Sequence, residues 1–249
     1  MNTLVKRARE VGTSAGILLP RSWLNKEVVV TLLRPSKEEI FKELAEFLTI
    51  KKFNEETKGI YLYGSYARNE QTEESDVDIL IITKNTNKLI NHGNYEILLV
   101  SEKNFAENLS RNLTYLIILK EAITLLNMDL LEFYKKKKIR LDVKDYIKEI
   151  KSIVNINEET ISFCKNNNKK IPDGVVYSTV LRLRELYLIK SLKSGKKYSN
   201  VDFLKFIPEN VNSAYLRIKR NEKEFNNNSP DELIPLISLS KKWLKELKD

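Results

Sequence analysis

Residues 59–81 read GIYLYGSYARNEQTEESDVDILI, and this stretch decides the fold of the central part of the chain. An apolar run leads into the pair Gly64-Ser65, a polar stretch follows, and an Asp-Val-Asp triplet opens a second apolar run. Short apolar runs bounded by Gly, Ser and Asn are typical of buried strands. We therefore predict strands at 59–63 and 77–83 that are joined by a polar turn.

Two carboxylates lie close together at the start of the second predicted strand. Side chains alternate along a strand, so Asp76 and Asp78 point to one face, with Cα atoms about 6.5 Å apart. Mg²⁺ prefers oxygen ligands and usually takes one or two carboxylates plus substrate phosphates. Gly64 has no Cβ, so its backbone can approach a ligand closely, while Ser65 adds a hydroxyl and an N–H group. The pattern indicates a site for a metal-bound triphosphate, in which Arg68 could neutralise phosphate charge.

This arrangement resembles the nucleotidyltransferase superfamily of the DNA polymerase β type, in its minimal bacterial and archaeal form. The signature of that family is an apolar strand, Gly-Ser or Gly-Gly, a spacer, and then Asp-apolar-Asp-apolar. The residues that match it in place are Gly64, Ser65, Asp76 and Asp78. Asn69 stands where relatives commonly have Gly, and Asn tolerates the left-handed backbone that this turn would need. The resemblance covers about residues 36–140, with motifs only in 59–101.

The resemblance also implies a third carboxylate on a later strand, for which Glu96, at the start of the run 95–101, is the best candidate. The alternative for Glu96 is a solvent-facing strand end. The implied catalytic and metal-binding residues are Asp76, Asp78 and Glu96. The implied nucleotide-binding residues are Gly64, Ser65 and Arg68. Two Mg²⁺ ions would be the cofactors, with Mn²⁺ as a substitute.

The activity that the resemblance implies is transfer of a nucleoside monophosphate from a nucleoside triphosphate to a hydroxyl group. The favoured donor is ATP, and the favoured group transferred is AMP. The acceptor stays open between a protein, an RNA end and a small molecule. A protein is the best single choice, because minimal relatives include antitoxins that adenylylate a partner toxin.

The first part of the chain has a different character. Two short β-rich runs, near 17–19 and 28–33, flank a turn built on Pro20 and Asn25. A hairpin of this size cannot make its own core. Residues 11–24 resemble one arm of AbrB-like swapped-hairpin proteins, which form interlocked dimers and often bind DNA. The resemblance implies a homodimer more than DNA binding, and a hairpin packed on the catalytic domain is the alternative.

Helical signals dominate the rest. Ser36 and Glu39 form the pattern of a capping box at the start of one helix, and 116–126 is ambiguous between helix and strand. From about Leu141 only helices are predicted, over 143–164, 174–192, 211–224 and 231–248.

The predicted fold class is therefore α/β (α+β). It comprises a short N-terminal β-hairpin unit, a small mixed-sheet nucleotidyltransferase domain and a C-terminal all-α helical bundle. The predicted domains are residues 1–34, 35–140 and 141–249.

Composition narrows the classes of function. The 249 residues include 43 Lys and Arg against 34 Asp and Glu, a net charge of +9 that favours polyanionic partners without choosing a nucleic acid. One cysteine and one histidine argue against disulfide frameworks, Cys-rich metal sites and Ser–His–Asp catalysis. No apolar run reaches the roughly 18–20 residues of a membrane helix, and the N-terminus lacks a signal-peptide core. We expect a cytoplasmic protein with no membrane partner.

Three functions remain, the least favoured being a structural partner protein with neither of the activities below. The first is the nucleotidyltransferase, which the retained carboxylates favour. The alternative is a DNA-binding regulator or antitoxin, in which the nucleotidyltransferase-like body serves as a scaffold or nucleotide sensor, and the basic N-terminal segment favours this reading.

Overall fold

A computed structural model describes residues 4, 6, 8–30, 35–72, 75–139 and 142–247. Its internal contacts divide the chain into two compact units. The sheet unit comprises Met1–Ser101 with Ile123–Met128, and the helical unit comprises Glu102–Ala122 with Asp129–Asp249. This division differs from the predicted boundary at residue 140, because the chain between the sheet and that point is itself mainly helical. The predicted domain limits stay a prediction.

The sheet unit contains seven strands and two α-helices among its described residues. The strands are β1 (Arg9–Val11), β2 (Ser14–Gly16), β3 (Thr57–Tyr63), β4 (Val77–Thr83), β5 (Lys88–His92), β6 (Tyr95–Ser101) and β7 (Ile123–Leu126), and the helices are α1 (Lys37–Ile50) and α2 (Gly64–Arg68). Strands β5, β6, β4, β3 and β7 form, in that order, a mixed sheet in which only β4 and β6 are parallel. The prediction of a small mixed sheet is confirmed.

Helix α1 begins at the predicted capping box. The Ser36 N–H donates to Glu39 Oε2 at 2.7 Å, and the Glu39 N–H donates to Ser36 Oγ at 3.2 Å. Two N-terminal donors that no helical carbonyl can reach are thereby satisfied. The buried face of α1 consists of Ile40, Leu44, Phe47 and Leu48. These side chains form one core with the apolar residues of β3, β4 and β6.

The N-terminal hairpin lies further upstream than predicted. Strands β1 and β2 pair antiparallel around a two-residue turn in which Gly12 has a φ of +59°. Glycine adopts positive φ at little cost, so this turn closes more readily than one built on Pro20. Residues 17–19 and 28–30 are not strand, and residues 31–33 lie outside the described residues. The predicted turn does form, as a 3₁₀ turn over Arg21–Trp23 followed by left-handed Asn25.

Strand β5 is an addition to the predicted strands. Its exposed, mostly polar sequence has no apolar alternation to mark it as a strand. The signal that could have found it is the pair Gly93-Asn94, a two-residue hairpin turn directly before β6. His92, the single histidine, is exposed at the end of β5, with its ring centroid 5.2 Å from that of Phe47.

The helical unit contains eight helices among its described residues: α3 (Glu102–Asn108), α4 (Leu113–Glu121), α5 (Met128–Lys136), α6 (Lys144–Asn166), α7 (Asp173–Lys193), α8 (Asn200–Leu204), α9 (Glu209–Lys219) and α10 (Pro230–Glu246). The predicted C-terminal helices are confirmed, although α9 ends early because Asn221 takes a left-handed conformation. The segment 116–126, which was ambiguous between helix and strand, contains both: the end of α4 and the whole of strand β7. No helix in the described ranges is long and apolar enough to cross a membrane.

A buried ion pair ties α7 to α9 in the helical unit. Arg217 Nε donates to Asp173 Oδ2 at 2.8 Å, and the Phe225 N–H donates to the same oxygen at 3.1 Å. The Asp173 side chain is fully buried. Burial by itself would raise the pKa of Asp173, but the hydrogen bonds from Arg217 and Phe225 outweigh it and hold the pKa below its ordinary value.

Replacing Asp173 with asparagine is expected to lower the free energy of unfolding by about 3 kcal/mol, because the guanidinium of Arg217 would stay buried without its counter-charge. Since the folded-state pKa is depressed, the ion pair stabilises the fold fully above the unfolded-state pKa of about 3.9 and loses that effect as pH falls through the folded-state value. Urea unfolding at pH 7 and pH 3 measures both. A variant that unfolds like the wild type at pH 7 would contradict the assignment.

Candidate active site

The predicted site residues meet at one edge of the five-stranded sheet. Strand β3 ends there at Tyr63, and the two parallel strands β4 and β6 begin there. The register places Asp78 opposite Tyr63 on one side and opposite Glu96 on the other, and Glu96 also pairs with Asn91 of β5. Residues directly paired across a sheet project from the same face. One row across four strands therefore carries the carboxylates of Asp78 and Glu96 side by side.

Asp76 directly precedes β4 at the same edge of the sheet. It is exposed, whereas Asp78 is half-buried and Glu96 is exposed. Two hydrogen bonds hold Ser75, the residue before Asp76: the Thr72 N–H donates to Ser75 Oγ at 2.8 Å, and the Ser75 N–H donates to the Thr72 carbonyl at 3.1 Å. The Val77 N–H donates to the Asn94 carbonyl at 2.8 Å. Residues 73 and 74 of the predicted polar turn lie outside the described residues.

Gly64 is the residue whose identity the structure explains most directly. Its φ is +71°, a conformation that side-chain-bearing residues rarely adopt. A Cβ built on Gly64 would lie 1.8 Å from Asp78 Oδ2, far inside van der Waals contact. The carboxylate of Asp78 is therefore packed against the bare Cα of Gly64. Glycine is needed here both for the backbone turn and for the space that Asp78 occupies.

The Gly-Ser pair forms the start of the short helix α2. Ser65 lies in its first turn, and Tyr66 fixes the helix by burying its ring in the core of the sheet unit. The helix ends at Asn69, which has φ 56° and ψ 37°. The expectation that Asn69 accepts a left-handed backbone in place of glycine is confirmed.

Arg68 has an acidic partner in the same segment. Its Nε donates to Glu70 Oε2 at 2.8 Å, and both side chains are largely shielded from solvent. Glu70 is thus the ion-pair partner of Arg68. The pair holds the guanidinium of Arg68 at the C-terminal end of α2. A role for Arg68 toward phosphate stays a prediction.

The start of β6 is anchored to α1 beside the site. The hydroxyl of Tyr95 donates to Glu43 Oε2 at 2.6 Å. Burial, together with this hydrogen bond and the negative charge of Glu43, raises the pKa of Tyr95 above its ordinary value. The phenol therefore stays protonated and remains a donor at physiological pH. This bond fixes the position of the residue that precedes Glu96.

The donor set of this edge fits a hard divalent cation. Asp76, Asp78 and Glu96 offer only carboxylate oxygens, which are the ligands that Mg²⁺ prefers. Within the part of the chain that the structure describes, no three Asp, Glu, His or Cys side chains lie close enough to enclose an ion by themselves. Mg²⁺ in such sites keeps one or two carboxylates and completes its shell with substrate phosphates and water. The metal-binding role of these residues stays a prediction.

Comparison with family models gives a match for the region that holds the site. Residues 44–154 match the model described as nucleotidyltransferase domain. This region is therefore similar to nucleotidyltransferase domains. The match includes the whole row of site residues and the two parallel strands that bear the carboxylates.

Relatives of the nucleotidyltransferase domain come from Methanocaldococcus jannaschii. Two proteins named as candidate protein adenylyltransferases are 51% identical over 43 residues and 47% identical over 47 residues. These stretches cover 17% and 19% of this chain, and 44% and 46% of the two relatives. The chain thus spans less than half the length of the curated relatives that it matches.

Two solved structures align over a larger part of the chain at lower similarity. A spectinomycin adenyltransferase from Enterococcus faecialis, solved with ATP and spectinomycin, has 13% identity and a TM-score of 0.39, covering 84% of this chain and 99% of its own. A nucleotidyltransferase-like protein from Exiguobacterium sibiricum has 15% identity and a TM-score of 0.34, covering 83% and 75%.

Three basic residues of α7 have partners within the helical unit. Arg182 Nη1 donates to Glu185 Oε2 at 2.8 Å, and Lys190 Nζ donates to Glu246 Oε2 at 2.6 Å. Arg184 Nε donates to the Tyr198 hydroxyl at 3.0 Å. The pair of Arg182 and Glu185 joins two residues of α7 itself. The contacts of Lys190 and Arg184 link α7 to other parts of the helical unit.

Proposed function

We propose that this chain transfers a nucleoside monophosphate, AMP in the first instance, from a nucleoside triphosphate to the hydroxyl group of an acceptor protein. The observation that carries the proposal is the row formed by Asp78 and Glu96 beside Gly64, with Asp76 at the same sheet edge. The family match of residues 44–154 and the names of the archaeal relatives support the reaction class and a protein acceptor.

In this proposal Asp76, Asp78 and Glu96 would hold Mg²⁺, for which Mn²⁺ can substitute. Bound Mg²⁺ supplies positive charge against the triphosphate and lowers the pKa of a coordinated hydroxyl. Gly64 and Ser65 offer backbone N–H groups and a hydroxyl to the triphosphate, and Arg68 adds positive charge. Glu96, which is exposed at the start of β6, accepts the proton of the attacking hydroxyl as a general base.

The proposed reaction forms one bond at the α-phosphorus and breaks another. The acceptor oxygen forms a bond to the α-phosphorus while the bond between that phosphorus and the α,β-bridging oxygen breaks. Pyrophosphate leaves with the bonding electrons, and the hydroxyl proton passes to the carboxylate of Glu96. Neither cysteine nor histidine is needed for these steps.

Label transfer tests the proposal. The protein is incubated with Mg²⁺, host extract and each nucleoside triphosphate labelled at the α-phosphate, and label is sought in the protein, RNA and small-molecule fractions. We expect label from ATP in the protein fraction, complete loss with excess EDTA, and recovery when Mg²⁺ or Mn²⁺ is restored in excess. Label in the RNA or small-molecule fraction would reassign the acceptor. If no nucleotide gives transfer and the protein binds DNA at low salt, the DNA-binding regulator becomes the favoured function.

A further inference from the structure

The helical unit contains a groove of about 1120 Å³ around the first turns of α6. Lysines from three helices line it: Lys120, Lys144, Lys148, Lys151 and Lys193. Asp142 is the one acidic residue among the described residues that line the groove. The groove lies wholly within the helical unit and shares no residue with the site on the sheet edge.

The lysines of this groove lack acidic partners. Within the described ranges none of the five forms a salt bridge. Lys120 and Lys193 donate their Nζ protons to the carbonyls of Leu192 and Leu247, at 3.1 and 2.8 Å. The ammonium groups of Lys120 and Lys193 are therefore held in place by the fold but are not neutralised by it. An anionic ligand would meet these two fixed charges beside three exposed lysines of α6.

The spacing of three of these lysines matches a regular partner. Lys144, Lys148 and Lys151 are separated by four and three residues on α6, so they lie on one face of the helix. At 1.5 Å per residue they span about 10 Å along the helix axis. A second helix with acidic residues at the same spacing would place its carboxylates opposite these ammonium groups.

The floor of the groove distinguishes between classes of anionic partner. It is made of aliphatic side chains such as Leu116, Ile147 and Leu192. None of the described lining residues is aromatic, and none is arginine. Lysine contacts to phosphate serve any nucleic acid. Sites that also recognise bases usually add aromatic stacking or bidentate arginine contacts, which the described lining does not offer. An aliphatic floor with a lysine rim instead complements a helix that has one apolar face and acidic flanks.

We propose that this groove is a docking site for an acidic amphipathic helix of a partner protein. The apolar face of that helix packs on the aliphatic floor, and its carboxylates pair with Lys144, Lys148 and Lys151. The proposal does not depend on nucleotidyl transfer, because the groove is separate from the candidate active site and its binding is measured without nucleotide.

Fluorescence anisotropy of the full chain tests the proposal with three labelled probes. One is a designed 16-residue amphipathic helix with Glu and Leu at helical spacing, the second is a scrambled peptide of the same composition, and the third is a 12-nucleotide oligouridylate. We expect the amphipathic peptide to bind at least about tenfold more tightly than either of the others. The double variant K148E/K151E should bind the amphipathic peptide about tenfold more weakly than the wild type does, because two attractions become repulsions.

The matched control is K219E/K223E, which changes the net charge equally at two exposed lysines outside the groove. It should bind the amphipathic peptide within about twofold of the wild type. The milder variant K148Q/K151Q, with thermal melts of every variant, separates loss of binding from loss of fold. Equal binding of all three probes, an equal effect of both charge reversals, or no peptide binding would overturn the proposal. Preferential binding of oligouridylate that K148E/K151E removes would reassign the groove to nucleic acid.

Discussion

Replacing Asp78 with asparagine is expected to lower the rate of nucleotidyl transfer by about 1000-fold, because the side chain keeps its shape but loses the charge that a divalent cation requires. Asp78 is the central carboxylate of the site, packed against Gly64 and paired in register with Glu96. The measurement is transfer of α-labelled AMP to the protein fraction at saturating Mg²⁺.

The control for this variant is Asp129→Asn, which removes one carboxylate from an exposed position at the start of α5. It should transfer label within about twofold of the wild type, since it lies outside the site. Thermal unfolding of both variants shows whether the fold persists. An Asp78→Asn protein that folds and retains a tenth or more of the wild-type rate would remove Asp78 from the proposed metal site.

Replacing Gly64 with alanine is expected to impair both stability and activity. The added Cβ would need to occupy space 1.8 Å from Asp78 Oδ2, and alanine would be held at a φ of +71°. The backbone strain alone costs about 1–2 kcal/mol, and relief of the clash displaces the Asp78 carboxylate. A displacement of about 1 Å at a reacting centre costs about 100-fold in rate. We expect a loss of transfer of at least that size in the protein that remains folded.

Gly93 provides a matched control for this prediction. It also has a positive φ, +59°, but a Cβ built on it would meet no atom within 4 Å. Gly93→Ala should therefore show the backbone strain of about 1–2 kcal/mol and leave transfer within about twofold. Urea unfolding and label transfer on both variants separate strain from displacement of Asp78. If Gly64→Ala and Gly93→Ala lost transfer activity to the same extent, the close approach of Gly64 to Asp78 would not matter for transfer.

Much of the site could be predicted because its signals are local. The spacing of Gly64 and Asp78 between two apolar runs indicated that one strand ends where the next begins. Strand β4 and strand β6 have the predicted bounds. The capping box at Ser36 and the left-handed turn at Asn69 follow from side-chain chemistry within a few residues, and both are present.

Other features could not be read from local patterns. The exposed strand β5 lacks apolar alternation, and its partner β6 supplies its hydrogen bonds. Residues 17–19 have a β-rich sequence but do not form a strand. The hairpin instead forms from β1 and β2, which lie directly before them in the chain. The Arg68–Glu70 ion pair depends on the direction in which α2 ends, which spacing alone does not give.

The sequence by itself determined the reaction class to be tested, because Gly64, Asp76 and Asp78 carry a family pattern in a stretch short enough for local geometry to control. Only the tertiary structure decided that Glu96 lies beside Asp78, because a parallel pairing of strands separated by 11 residues (84–94) depends on the whole sheet. Only the tertiary structure decided that lysines from α4, α6 and α7 share one groove. Helix packing brings together charges that lie far apart along the chain, and no periodicity in the sequence records that proximity.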